Sequence, residues 1–199
     1  MKLRIGLDCD DTCNYWYEYY VKRFGPPKDD TTITRHVERI LKKDRDFWLN
    51  LPVKNRPDFD VTLYCTKRVN PKAWTRKWLE DNDFPIAPIY QAYTQSKNKA
   101  DLIKGRVDVF IDDSITNFIQ LNLSGVPCLL MDSPNNQNWG PIGRIYSLRE
   151  SEIKEVYDLF MNTIFPNIKL KEVPSAEPIG PNAIANGTLI VTLNNAIMK

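Results

Sequence analysis

The chain has 199 residues, a formal net charge of +2, one histidine and four cysteines. That length supports one good core and a small insertion but hardly two full domains, the absence of a long basic run speaks against a nucleic-acid tract, and the apolar stretches are too short to span a bilayer. With His36 the sole histidine, histidine triads and imidazole metal sites are excluded, and the spacing of Cys9, Cys13, Cys65 and Cys128 fits neither zinc nor redox motifs, so they read as buried free thiols.

Residues 3–12 come first in chain order. Leu3, Ile5 and Leu7 predict a strand that runs straight into Asp8, Asp10, Asp11 and Thr12. Like charges this close repel strongly in a partly dry site, and a divalent cation with oxygen ligands is the simplest way to offset the repulsion. The plainer alternative is an acidic loop that caps the next helix. That helix is predicted over 14–24, with Trp16, Tyr20 and Phe24 on one face and Gly25, Pro26 and Pro27 as its stop. A second helix is expected from about Thr34, with Val37, Ile40 and Leu41 as its apolar stripe, and a third short one carries Phe47, Trp48 and Leu51 up to Pro52.

Residues 60–66 read as a strand ending in the Thr66 hydroxyl, followed by Lys67, Arg68 and an Asn70-Pro71 helix start. The helix over 71–80 turns Trp74 and Trp78 toward the sheet, and 86–92 is a further strand. Ser96, Lys97, Asn98 and Lys99 open a helical stretch. A strand over 107–112 then finishes, like the first, in adjacent acids, Asp112 and Asp113. Ile115, Phe118, Ile119 and Leu123 follow at helical spacing, with Gly125 as the stop. Residues 126–131 form a buried strand that carries Pro127. The loop 132–144, with Asn135, Asn136, Trp139 and Arg144, has the length of a functional loop, and Arg144 is either a phosphate contact or a solvated side chain. Ile153, Val156, Tyr157, Phe160 and Ile164 define a helix over 151–165. Beyond it Pro174, Pro178 and Pro181 break up the chain before an isolated strand at 188–193, which is an edge strand, a subunit contact or part of a loose tail.

Strands alternating with helices predict an α/β fold, a Rossmann-like parallel sheet with helices on both faces. Acids at the carboxyl ends of two such strands meet at one edge of the sheet, which is where open α/β sheets bind ligands.

The ordered set Asp8-Cys9-Asp10-Asp11-Thr12, Cys65-Thr66, the Lys97/Lys99 segment and Ile111-Asp112-Asp113-Ser114 resembles the haloacid dehalogenase-like phosphohydrolases. Within them it is similar to the 5'(3')-deoxyribonucleotidase branch, the cytosolic type C nucleotidases and their bacterial and phage relatives, a likeness that Phe47-Trp48-x-x-Leu51-Pro52 shares. The resemblance covers roughly 3–165. It implies a phosphatase core over 1–12 and 59–165, a small helical cap inserted after the first strand at 13–58, and a C-terminal extension at 166–199.

It also implies a Mg²⁺-dependent phosphoric monoester hydrolase acting on nucleoside 5'-monophosphates, most of all deoxyribonucleotides. Asp8 is then the nucleophile that forms an aspartyl-phosphate. Asp10 is the general acid and base, and needs a proton held more tightly than an ordinary carboxylate holds it, which burial and nearby acids supply. Mg²⁺ is held by Asp8, the backbone carbonyl of Asp10 and Asp113, with Asp112 a second-shell or water-mediated partner. Thr66 donates to a phosphoryl oxygen, Lys67 lines the substrate site, and Lys99 neutralises charge on the transferring group. Lys97 is the alternative to Lys99, which is preferred because Lys-Ala-Asp-Leu-Ile is closer to the family pattern.

Aromatic density is highest between 15 and 48, and Trp16 and Trp48 are the expected pocket wall for a nucleobase, since stacking on a ring contributes about 1–3 kcal/mol. The alternatives are that these rings are core, with another small phosphorylated metabolite as substrate, or that the chain is a non-catalytic phosphate- or partner-binding protein. The expected partner is a small-molecule nucleotide, not a nucleic-acid polymer or a membrane, and a homodimer is compatible with the branch. Free thiols and the lack of a signal peptide before the first strand point to a cytoplasmic location.

Overall fold

The structure, a computed structural model, describes residues 2–92 and 98–163. Its six strands are β1 (Ile5–Leu7), β2 (Leu63–Thr66), β3 (Ile89–Gln91), β4 (Val109–Asp112), β5 (Cys128–Met131) and β6 (Arg144–Ile145). They form one all-parallel sheet in the order β3-β2-β1-β4-β5-β6. β1, β2, β4 and β5 are buried along their whole length, as parallel strands covered on both faces must be. The packing is tightest at Gly6, where a Cβ would sit 2.8 Å from the Phe110 ring and 2.9 Å from Val107.

Among the described residues seven α-helices connect and flank the strands: α1 (Trp16–Phe24), α2 (Asp30–Arg39), α3 (Arg45–Leu49), α4 (Lys72–Asp81), α5 (Lys99–Ile103), α6 (Ile115–Leu123) and α7 (Glu150–Thr163). α4 carries the chain from β2 outward to β3, whereas α5 and α6 carry it the opposite way across the sheet. Right-handed crossovers therefore put α4 on one face and α5 with α6 on the other, and α5 and α6 do pack together. The direction of winding reverses between β1 and β4. Leu7 pairs with Ile111 and the Asp8 N–H donates to the Ile111 carbonyl at 2.9 Å, so the acids after β1 and β4 emerge side by side at the switch point.

α1 to α3 form a helical segment between β1 and β2. The Asp11 carboxylate accepts from the Tyr17 N–H, which sets the start of α1, and Gly25 at φ 82° ends it. Asp29 and Asp44 cap α2 and α3 by accepting from Thr32 and Phe47 N–H groups. The segment is tied to α4 by the Trp78 indole, which donates to the Leu51 carbonyl at 2.9 Å.

Some expectations are corrected. α2 starts at Asp30 rather than near Thr34, because Asp29 supplies the cap. Ile40 and Leu123 lie at or beyond helix ends and are exposed, so neither belongs to a buried stripe. The loop 132–144 contains a 3₁₀ turn, Pro134–Asn136, and runs into β6, a strand too short to show any periodicity. Ile164, Phe165, the 166–199 extension with its strand at 188–193, and Lys97 lie outside the described residues. The cysteines are free and buried, and among the described residues no helix is long and apolar enough to cross a membrane.

Candidate active site

Two buried charge pairs organise the carboxyl edge of the sheet. In the first, Lys99 at the start of α5 is buried between two carboxylates, its Nζ 2.8 Å from Asp8 Oδ1 and 2.7 Å from Asp112 Oδ2. Burial alone would lower its pKa, but Asp112 and Asp8 overcome that and hold it well above the ordinary lysine value. Lys99 is therefore a fixed positive charge. Asn98 places it: its side chain accepts from the Ala100 N–H and caps the helix that Lys99 begins.

Asp112 is fully enclosed. Oδ1 accepts from the Ser114 N–H and Asn117 Nδ2, both at 3.0 Å, and Oδ2 from Lys99 and, at 3.1 Å, Asn117. Asp113 differs: its side chain receives no hydrogen bond among the described residues, and burial, then Asp112, Asp11 and Asp8, push its carboxyl well above the usual range. Burial likewise raises Asp8 to about 7, with Lys99 pulling the other way and Asp112 and Asp10 adding to the rise.

Asp8, Asp112 and Asp113 each offer a carboxylate oxygen within 4.8 Å of the others. All are hard oxygen donors, and a divalent cation would relieve the repulsion that raises Asp8 and Asp113, so the residues fit Mg²⁺. Asp8 and Asp113 have oxygens to give, whereas those of Asp112 are already taken.

The second pair is Asp10 with Arg68. The guanidinium reaches Asp10 Oδ1 from Nη2 at 2.6 Å and from Nε at 3.0 Å, and Oδ2 from Nε at 3.1 Å. Asn14 adds a bond to Oδ1 at 3.3 Å. Asp10 thus stands against a cation, with its side chain 24% exposed.

Thr66 is buried at the end of β2, its hydroxyl accepting from the Arg68 N–H at 3.2 Å and keeping its own hydrogen to donate. Lys67 is exposed and donates to Asn117 at 2.6 Å, which places it at the rim. Sequence reasoning missed Arg68 as a site residue although it stood in plain view. Neighbouring residues of an extended chain point to opposite sides, so Arg68, not Lys67, shares the side of Thr66.

Further loops brace the edge. Lys54 Nζ donates to the carbonyls of Asp11 and Asp132, both at 2.6 Å, joining the loops after β1 and β5. Burial lowers its pKa against the pull of Asp11, Asp113 and Asp132. Asn136 donates to the Asp113 carbonyl at 2.8 Å and is itself held by Arg144. Arg144 is not a solvated side chain: it is buried, pairing with Asp132 and knitting its own loop.

The expected aromatic wall divides. Trp48 is only 1% exposed, its indole donates to the Leu41 carbonyl at 2.6 Å, and its ring packs on Phe47 and over Arg68. It is a core residue with no free face for a base, because it forms the joint between the helical segment and the sheet edge. Trp16 is half-buried, stacked on Tyr20 at 5.3 Å with Phe47 at its edge, and its indole N–H has no partner among the described residues.

No family model matches the chain, and no curated protein matches it. Among solved structures it is similar to a HAD-superfamily hydrolase, subfamily IA, variant 1, from Geobacter sulfurreducens, at 14% identity, covering 79% of this chain and 96% of that one with a TM-score of 0.42. The fold is α/β and Rossmann-like, with the strand order β3-β2-β1-β4-β5-β6.

Proposed function

We propose that the chain is a Mg²⁺-dependent phosphomonoesterase that hydrolyses nucleoside 5'-monophosphates, with deoxyribonucleotides first among them. The observation that carries this reading is Asp8 at the sheet's switch point, ion-paired to the buried Lys99 and grouped with Asp112 and Asp113. Asp8 attacks phosphorus and the bond to the leaving oxygen breaks as Asp10 protonates that oxygen. An aspartyl-phosphate remains on Asp8. Water then attacks the phosphorus, Asp10 takes its proton, and phosphate leaves with Asp8 restored. Lys99 opposes the negative charge of the transferring group, and the Thr66 hydroxyl donates to one of its oxygens. Asp8, Asp113 and the Asp10 carbonyl would hold Mg²⁺, which would supply charge neutralisation for the phosphate. In this reading 13–58 act as the cap and Trp16 contributes to the base pocket.

A second reading has a specific observation behind it. With Trp48 committed to the core, the aromatic surface left for a base is small, which favours another small phosphorylated metabolite as substrate. Phosphate release from ribo- and deoxyribonucleoside monophosphates and common sugar phosphates, with Mg²⁺, with chelator and in Asp8→Asn, separates the two. Mg²⁺-dependent turnover of deoxynucleotides that Asp8→Asn abolishes is the expected result. Turnover of sugar phosphates alone keeps the chemistry and discards the nucleotide. No Asp8-dependent release from any substrate overturns the phosphatase reading.

A further inference from the structure

A guanidinium removed from water must recover its hydration from protein partners, and Arg68 does so through Asp10 and Thr75. Its side chain has no exposed surface. Nε and Nη2 engage Asp10, Nη1 donates to Thr75 Oγ1 at 3.2 Å, and its carbon lies 5.1 Å from the Trp48 ring and 5.9 Å from that of Trp78. The backbone is fixed too: the Arg68 N–H donates to Thr66 Oγ1 and the carbonyl accepts from Gln91. An arginine so enclosed does not swing out to meet a phosphate. It acts on what it holds.

What it holds is asymmetric. Among the described residues, Asp10 Oδ1 receives Arg68 Nη2, Arg68 Nε and Asn14 Nδ2, whereas Oδ2 receives only the shared Nε hydrogen at 3.1 Å. Two contacts from one rigid planar group fix both the rotamer and the tilt of the carboxylate. The oxygen with capacity to spare is Oδ2, on a side chain that is otherwise only partly covered.

Resting on the phosphatase reading above, we infer that Arg68 is the positioning residue of Asp10: it locks the carboxylate so that Oδ2 is the oxygen that gives its proton to the leaving group and takes one from water. The Trp48 ring over Arg68 comes from α3, so the helical segment packs against the residue that holds Asp10.

The test compares first-turnover rates on two substrates. A nucleoside 5'-monophosphate leaves as a basic alkoxide that needs the proton from Asp10; 4-nitrophenyl phosphate leaves as a phenolate that does not. Arg68→Gln is expected to lose roughly 100-fold or more on the nucleotide and less than about threefold on the aryl ester, with KM unchanged on both, as general acid catalysis contributes about 10²–10⁴-fold. Asp10→Asn should show the same split, and the double variant should be no worse than Asp10→Asn alone. Equal losses on the two substrates, or losses that multiply in the double variant, overturn the inference. Should Arg68→Gln not fold, Thr75→Val removes the Nη1 acceptor and leaves the pair intact; it must show a smaller split of the same sign, and equal losses there also overturn it. A wild type inert on both substrates overturns the phosphatase reading and this inference with it, whereas an active wild type without the split in its variants overturns this inference alone.

Discussion

At the carboxyl edge of the sheet, buried charges are matched against one another: Lys99 with Asp8 and Asp112, Arg68 with Asp10. In the helical segment between β1 and β2, rings are matched against rings: Phe47 with Trp48, Trp16 with Tyr20, and Phe24 with Phe47. The two regions solve burial differently. An enclosed charge needs a partner of fixed geometry, so the edge allows few alternatives, whereas aromatic packing needs only shape and area. On the proposed reading, reaction chemistry is bound to the sheet, and substrate preference is left to the rings that packing has not consumed.

Removing a charge should break the comparison most severely. Lys99→Met leaves Asp8 and Asp112 facing each other unpaired in a buried site, and a loss of about 3–5 kcal/mol is expected along with activity. Urea titration and phosphate release check this; a stable, active variant would show that the edge does not depend on its counter-charge.

Rings come next. Trp48→Ala should cost about 3–5 kcal/mol in urea titration, as for a large core ring, because it opens the joint over Arg68. Trp16→Ala should cost much less and instead raise KM for nucleotides without changing KM for 4-nitrophenyl phosphate. If both substitutions behave alike, the division between packed and available rings is wrong.

The smallest effect sharpens the comparison through pH. Burial raises Asp11 to about 7, against a Tyr17 N–H bond that lowers it, so the folded chain binds a proton there that the unfolded chain releases near pH 4. Stability from this group is complete below about pH 4 and is lost as pH rises through about 7. Asp11→Asn should thus leave the metal-free midpoint unchanged at pH 4 and raise it at pH 8. Urea midpoints across that range check it, and an equal shift at both pH values would assign the effect to packing rather than titration.

The sequence by itself determined the α/β class and the two acidic strand ends, because runs such as 107–112 declare a buried strand and its terminus locally. The preference for Lys99 over Lys97 came from the family resemblance; the structure sets Lys99 between Asp8 and Asp112. Only tertiary structure decided which partner each charge takes. Nothing local says that Arg68 reaches back to Asp10 across 58 positions of sequence, or that Arg144 turns inward to Asn136 rather than out to water. Nor does an aromatic-rich stretch say which rings become core. Trp48 is buried because α3 meets α4 and Arg68, whereas Trp16 keeps an indole N–H without a partner. Periodicity and strand ends are properties of neighbouring residues, but charge pairing and ring burial depend on segments brought together only when the chain folds.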